Sequence, residues 1–346
     1  MEQETVIQIK SYLEKRKAKE ELKAIKGSLK VADLKKYDIG YNGPLSKKEI
    51  IRTIIFGIIL IIIGIPLCVL TAINNDNFCA EDAFCLESKG RGLQLLVNIL
   101  FFGILFLIIN IAAGICSIKT HIDVGYTRKI MHFCSFFLPF AANKVFPIGD
   151  SYFITVIKFW IVLIVFLLIT KPLRRLLILP LIIFRAIDRP VDRPYTILWL
   201  VSQFIASSIV LAGLSILWSH LDFKSDNLLI ILVLIVGLGD GLAEPVGIMW
   251  GKHKYRTRAI YYRRKLCSGS FTRSFEGSAT VFIMSCIAIA IFYASFTSLQ
   301  LLITFLLLPI IMTLTEAISP RTWDSPFMFL VGGLMLTGIK FIPGGF

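Results

Sequence analysis

The sequence predicts an all-α fold, a polytopic bundle of transmembrane helices with about nine spans and a cytosolic N-terminus. Three observations predict it. Of 346 residues, 56 % are hydrophobic and only 17 % charged, against roughly 25 % charged in an average soluble domain. Residues 277–315 run for 39 positions without a charge, long enough for two spans of about 20 residues each. Basic residues gather in alternate connections, as positive-inside topology requires. Together these exclude a disordered chain, a fibrous protein and an ordinary soluble enzyme.

The chain opens on a polar segment, residues 1–49, with 12 Lys or Arg and 8 Asp or Glu. Its stretch 7–15 has a weak helical pattern, read either as an amphipathic helix on an anionic membrane surface or as a solvated leader. No secretory signal is evident. Spans are expected at 50–73, 93–118, 130–146, 152–170, 195–218, 228–250, 277–293, 299–316 and 327–342. Between the fourth and fifth, the apolar stretch 176–187 has only 12 residues and basic flanks, which fits an interfacial or re-entrant helix.

With the N-terminus inside, the loop 74–92 lies outside and carries four acidic and two basic residues. Segments 171–194 and 252–273 then lie inside with six and eight basic residues, the latter with no acid. The net charge of +14 is therefore first a matter of anchoring. Nucleic-acid binding is not expected, because the basic residues sit beside spans and not on a soluble domain. Cys79 and Cys85 share the acidic loop and can pair in an oxidising compartment. Cys68, Cys116, Cys134 and Cys286 read as small apolar residues, and no CxxC zinc spacing occurs.

Polar residues inside apolar sequence mark the chemistry. The sixth span carries Gly237-Leu238-Gly239-Asp240-Gly241-Leu242-Ala243-Glu244-Pro245. Asp240 lies about 20 Å along this helix, a depth where a carboxylate is costly and by default functional. Glu244 follows at i+4 on the same face, and two carboxylates there suit Mg²⁺. Pro245 clashes with the carbonyl of residue 241, so the helix is expected to break within the acidic pair and free backbone groups for a polar ligand. The pairs Gly237/Gly241 and Gly247/Gly251 also read as small-residue packing positions.

The next segment is cationic: Lys252, His253, Lys254, Arg256, Arg258, then Arg263-Arg264-Lys265, then Arg273-Ser274-Phe275-Glu276-Gly277-Ser278. Arginine offers phosphate a two-pronged contact and lysine a point charge. Gly277 and Ser278 open a span whose first N–H groups can bind anions. Arg128, Lys129 and His132 form a second cluster, either for phosphate and proton transfer or only as a basic flank. Glu316, Arg321 and Asp324 form a third. Lys158 reads as a snorkelling lysine. No Walker A loop is present: three residues, not four, separate Gly247 from Gly251, and His253 follows Lys252.

In this order, Arg128-Lys129-Ile130-Met131-His132, Gly239-Asp240-Gly241-Leu242-Ala243-Glu244-Pro245-Val246-Gly247, Gly251-Lys252-His253-Lys254, Arg273-Ser274-Phe275-Glu276-Gly277-Ser278 and Thr315-Glu316-Ala317 resemble the CTP-dependent polyprenol kinase family. That family includes dolichol kinase, phytol kinase and CTP-dependent diacylglycerol kinase. The resemblance covers about 200 residues, 127–326. It implies transfer of the γ-phosphoryl group of CTP to a lipid alcohol with Mg²⁺. It implies catalytic roles for Asp240, His132 and Glu276, and metal ligation by Asp240, Glu244 and Glu316. Phosphate binding would fall to Arg128, Lys129, Gly239, Gly241, Gly247, Gly251, Lys252, His253, Lys254, Arg273, Ser274, Gly277 and Ser278.

Three features depart from the family pattern, one of them the long loop between Lys254 and Arg273. Arg273-Ser274 stands where Lys-Ser or Lys-Thr is usual, and Asp324-Ser325 stands for a final Asp-Asn. The chain is more distantly similar to phosphatidate cytidylyltransferases, whose C-terminal signature it lacks. The expected organisation is a polar cytosolic segment at 1–49, two spans at 50–118 and a transmembrane catalytic domain at 119–346, with catalytic residues on the cytosolic face. Expected partners are CTP, a lipid alcohol and membrane lipids. A transporter of an anionic solute is the alternative from another class, against which the chain shows no internal repeat.

Overall fold

The computed structural model describes residues 30–76, 88–120, 122–146, 152–223, 225–262, 265–320 and 323–343. The stretch 7–15, Cys79, Cys85 and Arg321 lie outside the described residues. The elements in order are α1 (Val31–Asn42), α2 (Lys47–Asp76), α3 (Ser88–Lys119), α4 (Val124–Val145), α5 (Tyr152–Leu168), α6 (Lys171–Leu176), α7 (Ile178–Ile187), α8 (Thr196–His220), α9 (Ser225–Leu234), a π turn (Ile235–Asp240), α10 (Gly241–Met249), β1 (Lys254–Tyr262), β2 (Lys265–Ser274), α11 (Phe275–Ile291), α12 (Ser298–Ile318) and α13 (Asp324–Lys340).

The described residues form a helical membrane bundle with one addition, a two-stranded hairpin in the cationic segment read as a loop. Among the described residues five helices are long and apolar enough to cross a membrane: Lys47–Leu67, Leu93–Lys119, Thr196–His220, Asn227–Met249 and Ser298–Ile318. α2 exposes Ile51, Ile54, Ile55, Ile58, Ile62 and Ile65. A patch of that size belongs in lipid, not water. Four of the nine expected crossings are weaker. α5, α11 and α13 have 17 residues each, a rise of about 25 Å against a hydrocarbon core of about 30 Å. α4 carries Arg128, Lys129, His132 and Lys144.

The chain gathers into two compact units, Met1–Met131 with Leu138–Thr196, and His132–Phe137 with Ile197–Phe346. In the first, α3 packs on α7 and α2 on α5. Lipid is as apolar as leucine, so helices associate through close packing and buried hydrogen bonds. Gly114 shows the packing: a Cβ there would lie 2.2 Å from the Ile182 carbonyl oxygen. Asn98 shows the bonding, donating to Ala142 O and Phe146 O, each at 3.0 Å.

One expectation for this unit is sharpened and one corrected. In the stretch 176–187, Leu176, Leu177 and Leu179 are exposed while Pro180 through Ile187 are buried, an enclosure by protein in keeping with the re-entrant alternative. Lys158 does not snorkel. It is buried and donates to Asn143 Oδ1 at 2.6 Å and Pro139 O at 3.2 Å, acceptors that satisfy a buried ammonium in place of water. Elsewhere in the unit Arg174 and Arg175 hold the buried Asp38 at 3.0 and 2.7 Å.

The second unit has its core in Trp218, Leu228, Ile231, Leu232, Val281, Met312 and Phe329, all fully buried. α10, α11, α12 and α13 pack in succession. Trp218 Nε1 donates to Thr337 Oγ1 at 2.7 Å. At the start of α12, Thr297 and Gln300 form a reciprocal cap, which satisfies two N–H groups that the first turn would otherwise leave open.

Candidate active site

The site belongs to the second unit and begins with the π turn. The expected break at Pro245 does not occur, since α10 runs through it from Gly241 to Met249. Proline removes one N–H and crowds the carbonyl four residues earlier. The distortion is taken up by the wider turn just before it, Ile235–Asp240. Such π bulges recur at functional sites. Phe137 and Phe133 fit against Gly237 and Gly241, where a Cβ would come within 2.6 and 2.5 Å of their rings. Gly237 and Gly241 thus serve packing around Asp240, which ends the turn and is 5 % exposed. Gly239 does so more loosely, since a Cβ there would lie 3.3 Å from Val281 Cα. His132 Nε2 lies 3.8 Å from Asp240 Oδ2 and 3.4 Å from the Val236 carbonyl oxygen.

The hairpin supplies the cation. β1 and β2 run antiparallel, with Tyr255 opposite Arg273 and Lys254 opposite Ser274. Successive residues of a strand face opposite ways, so Tyr255 and Arg273 share the inward side. Arg273 donates through Nη1 to the carbonyl and carboxylate oxygens of Glu316, and through Nη2 to Asp324 Oδ2 at 3.0 Å. Burial alone would weaken its proton affinity, but Asp324, Glu316 and Asp240 raise it above the ordinary guanidinium value. Arg273 is therefore a permanent charge inside the bundle.

Three carboxylates meet around it. Asp240, Glu316 and Asp324 each offer one oxygen, and these oxygens lie within 4.8 Å of one another. Ser278 Oγ donates to Glu316 Oε2 at 2.7 Å and sits 2.7 Å from the Tyr255 hydroxyl. Burial first, and then the Glu316 carboxylate, push the Tyr255 phenol upward, so it stays protonated and able to donate. Gln203 Nε2 donates to Asp324 Oδ1 at 3.3 Å and Ser325 Oγ at 2.7 Å.

An all-oxygen donor set is what Mg²⁺ prefers. Around octahedral Mg²⁺ adjacent ligands stand about 3 Å apart and opposite ones about 4.2 Å. These oxygens, within 4.8 Å of one another, would therefore have to draw together, and Arg273 yield part of its hold on Glu316 and Asp324, to bind one ion directly. Glu244, expected as the second ligand, is half-buried in α10 and not in this group, which takes Asp324 instead.

A second cluster secures the hairpin's root. Ser274 Oγ caps α11, accepting from Gly277 N at 3.1 Å. Glu276 does not join the acid group. Its Oε1 accepts from the N–H groups of Lys252 and His253, each at 3.1 Å, and lies 2.9 Å from His253 Nδ1. Its own N–H first, and then these partners, hold its carboxyl at about 2. A carboxyl depressed from the ordinary 4.5 stabilises the root fully at neutral pH and loses that effect only as acid approaches the lower value. Amide protection at Lys252 and His253, corrected for intrinsic exchange, should hold from neutral pH to about 4 and fall below that. Protection already lost well above pH 4.5 would contradict control by Glu276.

Gly247, Gly251 and Gly277 all face this root. A Cβ on Gly251 would lie 2.2 Å from Gly247 O, and one on Gly277 2.6 Å from Ala243 O. Ser274 Oγ would be 2.7 Å from a Cβ at Gly247, so the serine fills the space expected for phosphate. Gly277→Ala should cost about 1–3 kcal/mol of stability, read as a lower melting temperature. Gly338→Ala, with nothing within 4 Å, should leave melting unchanged or raised.

Of the expected site residues, Asp240, His132, Arg273, Ser278 and Glu316 converge. Lys252, His253, Lys254, Ser274, Glu276 and the three root glycines form the adjoining clamp. Arg128 and Lys129 fall in the other unit, where Arg128 Nη1 bonds Asp192 Oδ2 at 3.3 Å and Lys129 is buried. Tyr255 and Gln203 escaped the sequence reading. The signals were a β-type alternation at Lys254–Tyr262 and a single amide in an apolar helix. No family model, curated protein or solved structure matches the chain.

Proposed function

We propose that the protein is an integral-membrane kinase that moves the γ-phosphoryl group of CTP to the hydroxyl of a lipid alcohol, a polyprenol, phytol or diacylglycerol. One observation carries the reading: Asp240, Glu316 and Asp324 meet within 4.8 Å beside the half-buried Arg273 in an apolar bundle. Phosphoryl transfer asks for positioning and charge neutralisation more than covalent catalysis, and this group offers both. Mg²⁺ held by the three carboxylates would neutralise charge on the triphosphate.

Arg273 contacts the transferring phosphoryl group, and Ser278 and Tyr255 keep Glu316 oriented. His132, beside Asp240, takes the proton of the attacking hydroxyl. The lipid oxygen bonds to the γ-phosphorus while the bridge to the β-phosphate breaks and CDP leaves. Eight basic residues without an acid at 252–273 and six at 171–194 support a cytosolic site, nine crossings and an N-terminus on the same side.

The test is CTP labelled in either the α- or the γ-phosphoryl group, offered with a panel of lipid alcohols and with phosphatidate. The kinase reading expects γ-label in the lipid and CDP as product. α-Label in the lipid with release of pyrophosphate would make the protein a cytidylyltransferase. No label from either position would reject both.

A further inference from the structure

The hairpin has a second face that the acid group does not use. Tyr255 and Thr257 are turned inward, while Lys254, Arg256 and Arg258 between and beside them stand exposed. Thr272, which pairs with Arg256, is exposed as well. Among the basic residues of 252–273 whose side chains are described, Arg273 is the one bonded within the acid group.

The neighbours of the hairpin mark its depth. Trp250 and Phe275, which flank it in sequence, are each 62 % exposed, and Met249 is 58 % exposed. Large exposed aromatics where the apolar helix Asn227–Met249 gives way to polar sequence are the signature of a membrane–water boundary. A basic cluster just beyond a membrane helix is attracted to anionic headgroups. A two-stranded ribbon is also marginal alone in water, so what it rests on matters to its order.

We propose that Lys254, Arg256 and Arg258 dock on anionic phospholipid headgroups of the protein's own membrane, and that this docking steadies the hairpin carrying Tyr255 and Arg273. The occupant is chosen by charge complementarity and by the aromatic boundary at the hairpin's base. The inference stands apart from the kinase reading, because its test measures hairpin order and not turnover.

The experiment is hydrogen–deuterium exchange on the full-length protein in nanodiscs of phosphatidylcholine alone or mixed with phosphatidylserine. Each cation near an anionic surface changes docking by roughly fivefold, so three should slow exchange in 254–262 and 265–274 by up to about a hundredfold at low salt. High salt should remove the effect. The K254Q/R256Q/R258Q variant should lose it, the charge-retaining R256K/R258K variant should keep it, and exchange in α12 should be the same in all samples. Equal hairpin exchange in the two lipids, or slowing that survives the triple variant, would overturn the proposal. Slowing by CTP in phosphatidylcholine discs without phosphatidylserine would overturn it too, assigning the face to nucleotide.

Discussion

Asp240→Asn should lower phosphoryl transfer by on the order of 10³-fold while leaving the melting temperature nearly unchanged. The amide matches the carboxylate in shape, so the π turn and the contacts of Phe133 and Phe137 around it persist. What it removes is one anionic oxygen from a group of three and the charge facing His132 at 3.8 Å. A Km-against-kcat comparison sharpens the result, since an interaction used only in the transition state lowers kcat and leaves Km in place. Turnover at the wild-type rate would reject the role of Asp240. Loss of activity together with loss of folding would make it structural.

Arg273→Met should have the largest effect on stability. It leaves the buried Glu316 and the half-buried Asp324 without the guanidinium that bonds both and adds no compensating charge. Removing one partner from a buried ion pair costs about 3–5 kcal/mol. Two rescues should follow. Saturating Mg²⁺ should recover much of the lost melting temperature, because the same three oxygens can take a cation. Adding Glu316→Gln to the variant should recover part of it without metal. A variant that melts like the wild type, with no response to Mg²⁺, would show that Arg273 does not neutralise the group.

The helices were largely readable because membrane crossing imposes a length and an apolar composition together. The expected 299–316 and the observed Ser298–Ile318 differ by two residues at most at either end. Asp240 and Glu316 stood out because a carboxylate in apolar sequence is costly enough to need a reason. The partners of those acids were harder to find. Glu244 was chosen by helix periodicity, which sees only neighbours on one helix. Asp324 arrives from the start of α13, through tertiary packing that periodicity cannot encode.

The hairpin was missed although Lys254-Tyr255-Arg256-Thr257-Arg258 alternates as a strand does. Its charge invited a reading by composition, and that reading assigned Lys252, Lys254 and Arg273 alike to phosphate. The register separates them, turning Arg273 inward and Lys254, Arg256 and Arg258 outward. The break assigned to Pro245 failed for a related reason. A proline's clash fixes that a helix must adjust, but not where, and here the wider turn sits upstream of it.

The central claim is that Asp240, Glu316 and Asp324 form one cation site for a nucleotide triphosphate. Electron paramagnetic resonance of Mn²⁺ bound to the full-length protein tests it without a lipid substrate. One bound Mn²⁺ is expected, with phosphorus couplings appearing when CTP is added, and with affinity sharply weakened in Asp240→Asn, Glu316→Gln and Asp324→Asn. Mn²⁺ affinity and couplings equal to wild type in all three variants would contradict it.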